Sequence, residues 1–222
     1  MIPQSAIDLI LEFEGLDQPG AWPGGASGIT IGIGYDLGYT DSKTFVADWS
    51  PYLSPGQLGR LSAVIGKHGL DAKAIAHQFD DIAIDRHAAE TVFTIRTLPD
   101  EEAKTALAFP GYELLPDAAR GALVSLIYNR GPAMADSKSD PDYNRRTEMR
   151  AIRSAISYFA SLPEDEQESE LGFYLEEIAA QIRDMKRLWV GKGLDGLIAR
   201  REAEARLVES AIPVQRAQEV QA

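Results

Sequence analysis

The hydrophobic residues at the start of the chain recur at helical spacing and predict a helix over residues 5–14, which Gly15 ends. Glu12 falls on the polar side of this helix, where a solvated carboxylate is expected. Glu14 falls within the apolar arc, one turn beyond Ile10. A carboxyl group held against apolar residues favours its protonated form, which a general acid needs near neutral pH. Glu14 is therefore a candidate general acid; the alternative is a helix-end acid that tilts out to water.

A second pattern follows, because hydrophobic residues alternate with small or polar ones over residues 29–35 and predict a short β-strand that ends at Asp36. Thr30, two glycines and Asp36 share one face of this strand. Glycines at alternate positions indicate that something approaches the backbone closely, and a sugar ring is a suitable occupant. Thr30 and Asp36 flank this trough and are placed to hold a water molecule. The alternative is a glycine-containing hairpin strand with an exposed Thr30 and a turn-forming Asp36.

Helical periodicity dominates the rest of the chain. The segment 115–129 is apolar nearly all round, which predicts a buried central helix. Residues 132–146 are rich in polar residues, Gly and Pro and predict a surface loop, whereas residues 213–222 predict a C-terminal tail. A short strand region among many helices predicts the α+β class. Further helices are predicted over residues 147–161, 171–190 and 195–210.

Composition and charge narrow the classes of function. The net charge of −12 speaks against binding to nucleic acid or to an anionic membrane surface. No apolar run approaches the roughly 20 residues of a membrane span, so we expect no membrane insertion. The N-terminus has no basic segment before its apolar residues, so we expect no secretion signal. The three histidines stand on separate predicted helices without metal-ligand spacing, so we expect neither a metal nor another cofactor.

Glycosidic bond cleavage requires two carboxylates on different elements that face one cleft. Glu14 and Asp36 meet this requirement in the sequence, because a Gly- and Pro-rich loop and a strand separate them. Glu14 would protonate the leaving oxygen, while Asp36 and Thr30 would position and activate a water molecule. Since the loop and the strand leave room for this water, we expect an inverting mechanism.

Three regions of the sequence, the first of which contains two motifs, resemble one family of enzymes. FEG (13–15) and TIGIGYDLG (30–38) resemble the pesticin-like branch of the phage-type lysozymes, which are muramidases. LPDAARGALVSLIYNRG (115–131) and MKRLWVGKGLDGLIARREAEARL (185–207) are similar to the central helix and the closing segment of phage endolysins. Many phage lysozymes carry an acid in the loop where this chain has WPGG (22–25). The pesticin-like pattern places the acid after the strand instead.

The resemblance implies a function and a set of site residues. Glu14 looks like the catalytic acid, and Thr30 and Asp36 look like its partners. The implied reaction is hydrolysis of the β-1,4 bond between N-acetylmuramic acid and N-acetylglucosamine in peptidoglycan glycan strands. Asn129, at the end of the central helix, is a candidate for binding an N-acetyl group of the substrate; capping of its own helix is the alternative.

The resemblance also implies a lysozyme-like α+β fold with a single catalytic domain over residues 1–212. A small lobe with a short sheet or hairpin would occupy about residues 15–50, and a larger helical lobe would occupy about residues 51–212. The substrate cleft would lie between these lobes, and the protein would act as a monomer.

Two other classes of function stay open. One is a chitinase-like glycosidase on another amino sugar polymer, and the other is a cell-wall-binding module without turnover. For a muramidase without a secretion signal, we expect synthesis in the cytoplasm and action on the cell wall after lysis or dedicated delivery. The partners would then include a delivery protein or an immunity protein. Phage endolysin, delivered toxin and autolysin are equally compatible with the sequence.

Overall fold

The structure, a computed structural model, describes residues 2, 4–136 and 144–213. The described residues form ten α-helices and one two-stranded antiparallel sheet, which agrees with the predicted α+β class. The chain divides into two compact units. The first unit contains residues up to Phe13 and from Glu101 onward, and the second unit is Glu14–Asp100.

The helices of the C-terminal half lie close to their predicted positions. The helix predicted over residues 147–161 has these bounds in the structure, and the helix predicted over residues 195–210 ends one residue earlier. The helix predicted from residue 171 begins at Glu164, because the acidic residues that precede position 171 form its first turns, where the helix dipole favours negative charge. The helices are α1 (Gln4–Phe13), α2 (Ser42–Trp49), α3 (Pro55–Ser62), α4 (Leu70–Ile75), α5 (Arg86–Val92), α6 (Leu98–Ala108), α7 (Asp117–Arg130), α8 (Thr147–Ser161), α9 (Glu164–Asp184) and α10 (Asp195–Glu209).

Helix α7 is the buried centre of the first unit, as the sequence predicts for residues 115–129. Seven consecutive residues, 121–127, are buried in α7. Helix α1 packs against α7 through its buried residues Ala6, Leu9 and Ile10. Gly121 permits this approach, since a Cβ atom at that position would overlap the Cβ atom of Ala6. Helices α8, α9 and α10 complete the unit.

A cluster of four polar side chains lies within the core of the first unit. Arg200, Arg201 and Glu204 of α10 are almost completely buried, and Ser125 of α7 is buried beside them. Glu204 forms ion pairs with Arg201 at 2.8 Å and with Arg200 at 3.3 Å, and it accepts a hydrogen bond from the Ser125 hydroxyl at 2.6 Å. The two arginines therefore have a structural role that connects α10 to α7.

The core of the second unit contains hydrophobic residues of the β-hairpin region and aromatic residues of α2. Its most buried side chains include Ile29, Ile31, Ile33, Phe45 and Trp49. The buried carboxylate of Asp48 forms an ion pair with Arg96 at 2.7 Å and accepts a hydrogen bond from the Tyr35 hydroxyl at 2.9 Å. Burial raises the pKa of Tyr35 to about 12, so its hydroxyl stays a donor to Asp48.

The division into units differs from the predicted division into lobes. Helices α2 to α5 belong to the same compact unit as the segment 15–50, and that unit extends to Asp100. A single catalytic domain over residues 1–212 stays a prediction. Residues 137–143 of the predicted loop and residues 214–222 of the predicted tail lie outside the described residues.

The buried ion pairs of Glu204 lead to a stability prediction. We expect Glu204→Gln to lower the free energy of unfolding by about 3–5 kcal/mol, because two buried guanidinium groups lose their counter-charge. Glu202→Gln on the same helix is the matched control. Glu202 is only half-buried, and its ion pairs with Arg183 and Lys186 are partly solvated, so we expect a loss of about 1 kcal/mol or less. Equal losses in urea denaturation of the two variants would contradict the structural role of Glu204.

Candidate active site

The candidate site is organised by a β-hairpin in the second unit. Strand β1 (Thr30–Ile31) pairs with strand β2 (Tyr35–Asp36) in antiparallel register, so that Thr30 lies opposite Asp36. The prediction of one continuous strand over residues 29–35 is wrong. Gly32 and Gly34 have φ angles of 66° and 64°, which only glycine adopts readily, and they turn the chain back between the two strands.

The hairpin places Thr30 and Asp36 directly opposite each other on two strands. The single-strand prediction did not contain this pairing. Residues directly opposite in an antiparallel pair have neighbouring side chains on the same face of the sheet. Thr30 is 5% exposed, and its hydroxyl donates to the carbonyl of Gly28 at 3.4 Å. Asp36 is half-buried. The glycines of the hairpin serve the turn and do not form the predicted trough.

Backbone N–H groups hold the carboxylate of Asp36. Gly28 N donates to both carboxylate oxygens at 2.9 and 3.0 Å, and Gly38 N donates to Oδ1 at 2.8 Å. Asp36 also caps the 3₁₀ helix Leu37–Tyr39. A Cβ atom on Gly28 would overlap Oδ1 of Asp36 and the backbone of Gly38, so a glycine at position 28 is required for this contact.

Asp17 is a second carboxylate at the hairpin, which the sequence analysis did not select as a site residue. Its backbone exchanges two hydrogen bonds with Gly32, at 2.6 and 2.9 Å, and its side chain accepts a hydrogen bond from Gly34 N at 3.1 Å. Burial raises the pKa of Asp17, and the nearby negative charge of Asp36 raises it further, against the hydrogen bond from Gly34. Asp17 and Asp36 therefore hold the same hairpin and interact electrostatically. Asp17 is identified as a carboxylate of the candidate site only by its pairing with Gly32 in the hairpin turn. No pattern in the sequence around Asp17 indicates this pairing.

Glu14 is the first residue of the second unit and directly follows Phe13, the last residue of α1. Its side chain is half-buried, whereas Glu12 is exposed. Glu14 stands three residues before Asp17, and three residues of fully extended chain span at most about 11 Å. The pairing of Asp17 with Gly32 therefore keeps the backbone of Glu14 close to the hairpin turn.

An exposed aromatic pair lies beside the carboxylate of Asp36. Tyr39 is 67% exposed, and its ring stacks on the ring of His68 with 5.5 Å between centroids. The backbone of His68 forms a β-bridge with Gly28, whose N–H group donates to Asp36. The Tyr39 hydroxyl donates to the carbonyl of Ala26 at 3.0 Å, which fixes the ring at the surface.

Asn129, the predicted substrate-binding residue, belongs to the first unit. It is exposed near the end of α7, and its Oδ1 atom accepts a hydrogen bond from Arg201 Nη2 at 3.2 Å. Glu14, Thr30 and Asp36 belong to the second unit. The structure therefore brings Thr30 and Asp36 together in the hairpin. Asn129 instead contacts Arg201 in the first unit.

Neither a candidate metal site nor a candidate membrane span is found among the described residues. The three histidines are exposed, and residues 4–136 and 144–213 contain no group of three or more His, Asp or Glu side chains that could hold a metal ion. Among the helices of these ranges, none combines the length and the apolar character needed to cross a membrane. Comparison of the sequence with protein-family models and with curated proteins found no match.

The raised pKa of Asp17 predicts a pH-dependent effect on stability. Because the folded state binds the proton of Asp17 more tightly than the unfolded state, ionisation destabilises the fold as the pH rises from the ordinary pKa of 3.8 to the raised value. We expect the free energy of unfolding of Asp17→Asn, relative to the unsubstituted protein, to increase from about pH 3 to about pH 7. Urea denaturation across this range measures the difference.

Asp41→Asn provides a control of opposite sign. Hydrogen bonds from Thr44 lower the pKa of Asp41, so its ionised form contributes stability above pH 3.8. The relative stability of Asp41→Asn should therefore fall as the pH rises. A parallel trend for the two variants would contradict the electrostatic description of Asp17.

Proposed function

We propose that this protein is a glycoside hydrolase with a lysozyme-like α+β fold, and that it cleaves the β-1,4 bond between N-acetylmuramic acid and N-acetylglucosamine in peptidoglycan. The observation that carries the proposal is the cross-strand pairing of Thr30 with Asp36 on a hairpin close in sequence to Glu14. The resemblance of FEG and TIGIGYDLG to the pesticin-like lysozymes supports the same assignment.

The proposed mechanism divides the work between two carboxyl groups. Glu14, whose side chain is half-buried, protonates the leaving oxygen as the general acid. Asp36 accepts a proton from the attacking water. A carboxylate has about four lone-pair sites, and Asp36 uses three contacts to backbone N–H groups, so one site remains for this water. The Thr30 hydroxyl, directly opposite, orients the same water.

Asp36 is well suited to act as the general base, because its carboxylate is held in a fixed position before substrate binds. The two backbone donors belong to the segment just before β1 and to the 3₁₀ helix that follows β2. A catalytic group that is held by rigid elements loses little energy to reorganisation during the reaction. A water between Asp36 and the sugar corresponds to a single displacement, which inverts the anomeric configuration.

The aromatic pair supports binding of a sugar. A sugar ring has an apolar face, and an exposed aromatic ring presents a flat surface of large apolar area to it. Tyr39 offers this surface next to the residues that hold Asp36. We therefore include Tyr39 as a proposed platform for a sugar unit adjacent to the cleaved bond.

The acidity of the chain bears on how the enzyme would meet its substrate. Peptidoglycan carries carboxylates, and a net charge of −12 does not favour free diffusion to an acidic polymer. Release by lysis or delivery to the wall by a dedicated protein agrees better with this charge, and an immunity protein would then protect the producing cell.

The test of the general acid compares two neighbouring glutamates. We expect Glu14→Gln to abolish lysis of purified peptidoglycan without lowering the melting temperature, because the amide is isosteric and cannot donate a catalytic proton. Glu12→Gln should retain activity, since Glu12 is exposed. Zymography on peptidoglycan and on chitin measures both the activity and the substrate class. Loss of activity in Glu12→Gln alone would place the acid elsewhere, and chitin cleavage without peptidoglycan cleavage would change the substrate.

The test of the second carboxylate compares Asp36 with Asp17. We expect Asp36→Asn to reduce turnover by about 10²- to 10⁴-fold, the usual contribution of a general base, while Asp17→Asn has a smaller effect. NMR of the first-formed product should give the α-anomer from the β-linked substrate. An initial β-anomer would replace the inverting mechanism with a retaining one. A larger loss in Asp17→Asn would transfer the role of base to Asp17.

A further inference from the structure

A cavity of about 430 Å³ lies in the first unit at the C-terminal end of α7. Three arginines line it, namely Arg130 at the end of α7 and Arg145 and Arg146 just before α8. The side chains of Asn129 and Trp189 form further parts of the wall. This concentration of positive charge stands out in a chain whose net charge is −12.

Arg130 has the most unusual environment of these residues. Burial and the positive charges of Arg146, Arg201 and Arg145 lower its pKa to about 10. Its Nη2 atom donates to the carbonyl of Arg145 at 2.6 Å, an acceptor that carries no net charge. Within the described part of the chain, Nε of Arg130 is buried without a hydrogen-bond partner, and Nη1 is accessible and makes no hydrogen bond. A negative group at Nη1 would relieve this repulsion.

Asp136, a carboxylate of the cavity wall, is already engaged by other groups. Asp136 forms an ion pair with Arg150 at 2.9 Å and accepts a hydrogen bond from the backbone N–H of Arg146 at 2.8 Å. Glu148, which also acts on Arg130 electrostatically, forms an ion pair with Arg187 at 2.5 Å. Both acids therefore neutralise arginines other than Arg130.

Two further side chains complete a site for a negative group. A guanidinium group can only donate hydrogen bonds, so the amide oxygen of Asn129 faces Arg201 and its NH₂ group is left to donate to a ligand. The ring of Trp189 lies 5.2 Å from the guanidinium carbon of Arg130 and 5.7 Å from that of Arg201. This cation–π packing fixes the orientation of Arg130.

We propose that this cavity binds an oxyanion, a carboxylate or phosphate group of a small ligand, through Nη1 of Arg130 and the side-chain amide of Asn129. The wall residues all belong to the first unit, and the proposal does not depend on the reaction proposed for Glu14 and Asp36.

Titration with inorganic phosphate at constant ionic strength tests the site. We expect saturable NMR shifts of the Trp189 indole N–H and of the Asn129 side-chain amide. Arg130→Gln should weaken binding by about 10- to 100-fold, the usual effect of a charge-assisted hydrogen bond. Arg153→Gln is the control with the same change of charge, because Arg153 is exposed on α8 and is not part of the cavity wall. It should leave the affinity unchanged.

A second variant keeps the test decisive if Arg130→Gln fails to fold. Asn129 is exposed, so Asn129→Ala should fold normally and still weaken binding of phosphate. Absence of saturable shifts at millimolar phosphate would overturn the proposal, as would equal weakening by Arg130→Gln and Arg153→Gln. Unchanged affinity in Asn129→Ala would remove Asn129 from the site and contradict the proposed geometry.

The source of the oxyanion is identified by comparing two sugars. N-acetylmuramic acid carries a lactyl carboxylate that N-acetylglucosamine lacks. Stronger binding of N-acetylmuramic acid than of both phosphate and N-acetylglucosamine would assign the site to acidic groups of a cell-wall polymer. Stronger binding of phosphate would assign it to a free anion. In either case the same loss of affinity in Arg130→Gln is required.

Discussion

The hydrogen bonds from Gly28 and Gly38 to the carboxylate of Asp36 are the contact on which the second unit's site depends. They join the segment before β1, the end of β2 and the following 3₁₀ helix around one charged group. A sheet with two residues in each strand has too few ladder hydrogen bonds to define its own register. The hydrogen bonds to the Asp36 carboxylate add to the ladder, and they are made in the register in which Thr30 lies opposite Asp36. The same side chain is thus a structural clamp and the proposed base.

The first unit contains buried charge in two different arrangements. In the first unit, Glu204 compensates Arg200 and Arg201 within one helix, and Ser125 satisfies a further hydrogen bond. Charges that are compensated in this way specify one arrangement of α7 and α10. Around Arg130, by contrast, the positive charges of Arg146, Arg201 and Arg145 lower its pKa more than the negative charge of Glu148 raises it. The compensated charges of Arg200, Arg201 and Glu204 therefore have a packing role. The excess of positive charge around Arg130 suits a negatively charged ligand instead.

The sequence predicts the helices well and the site in part. Helix α8 was predicted with its observed bounds because its apolar positions recur regularly between two polar segments. The hairpin was predicted as one strand, because alternation with a period of two continues through Gly32 and Gly34 and periodicity does not register a change of φ. The alternation placed Thr30 and Asp36 at the two ends of one strand face, whereas the hairpin pairs them directly across two strands. Asp17 and Arg130 were missed because their environments arise from residues distant in sequence, which no local pattern contains.

The docking of α1 on α7 has a consequence for the order of events during synthesis. Residues up to Phe13 belong with those from Glu101 onward, whereas Glu14–Asp100 is a continuous segment. At about 5–20 residues per second, a ribosome needs about 10–40 s to proceed from α1 to α10. During this interval the apolar residues of α1 are not yet covered by α7, which contains Gly121, or by α10. The apolar residues of this N-terminal segment therefore stay uncovered by their native partners until α7 has been synthesised.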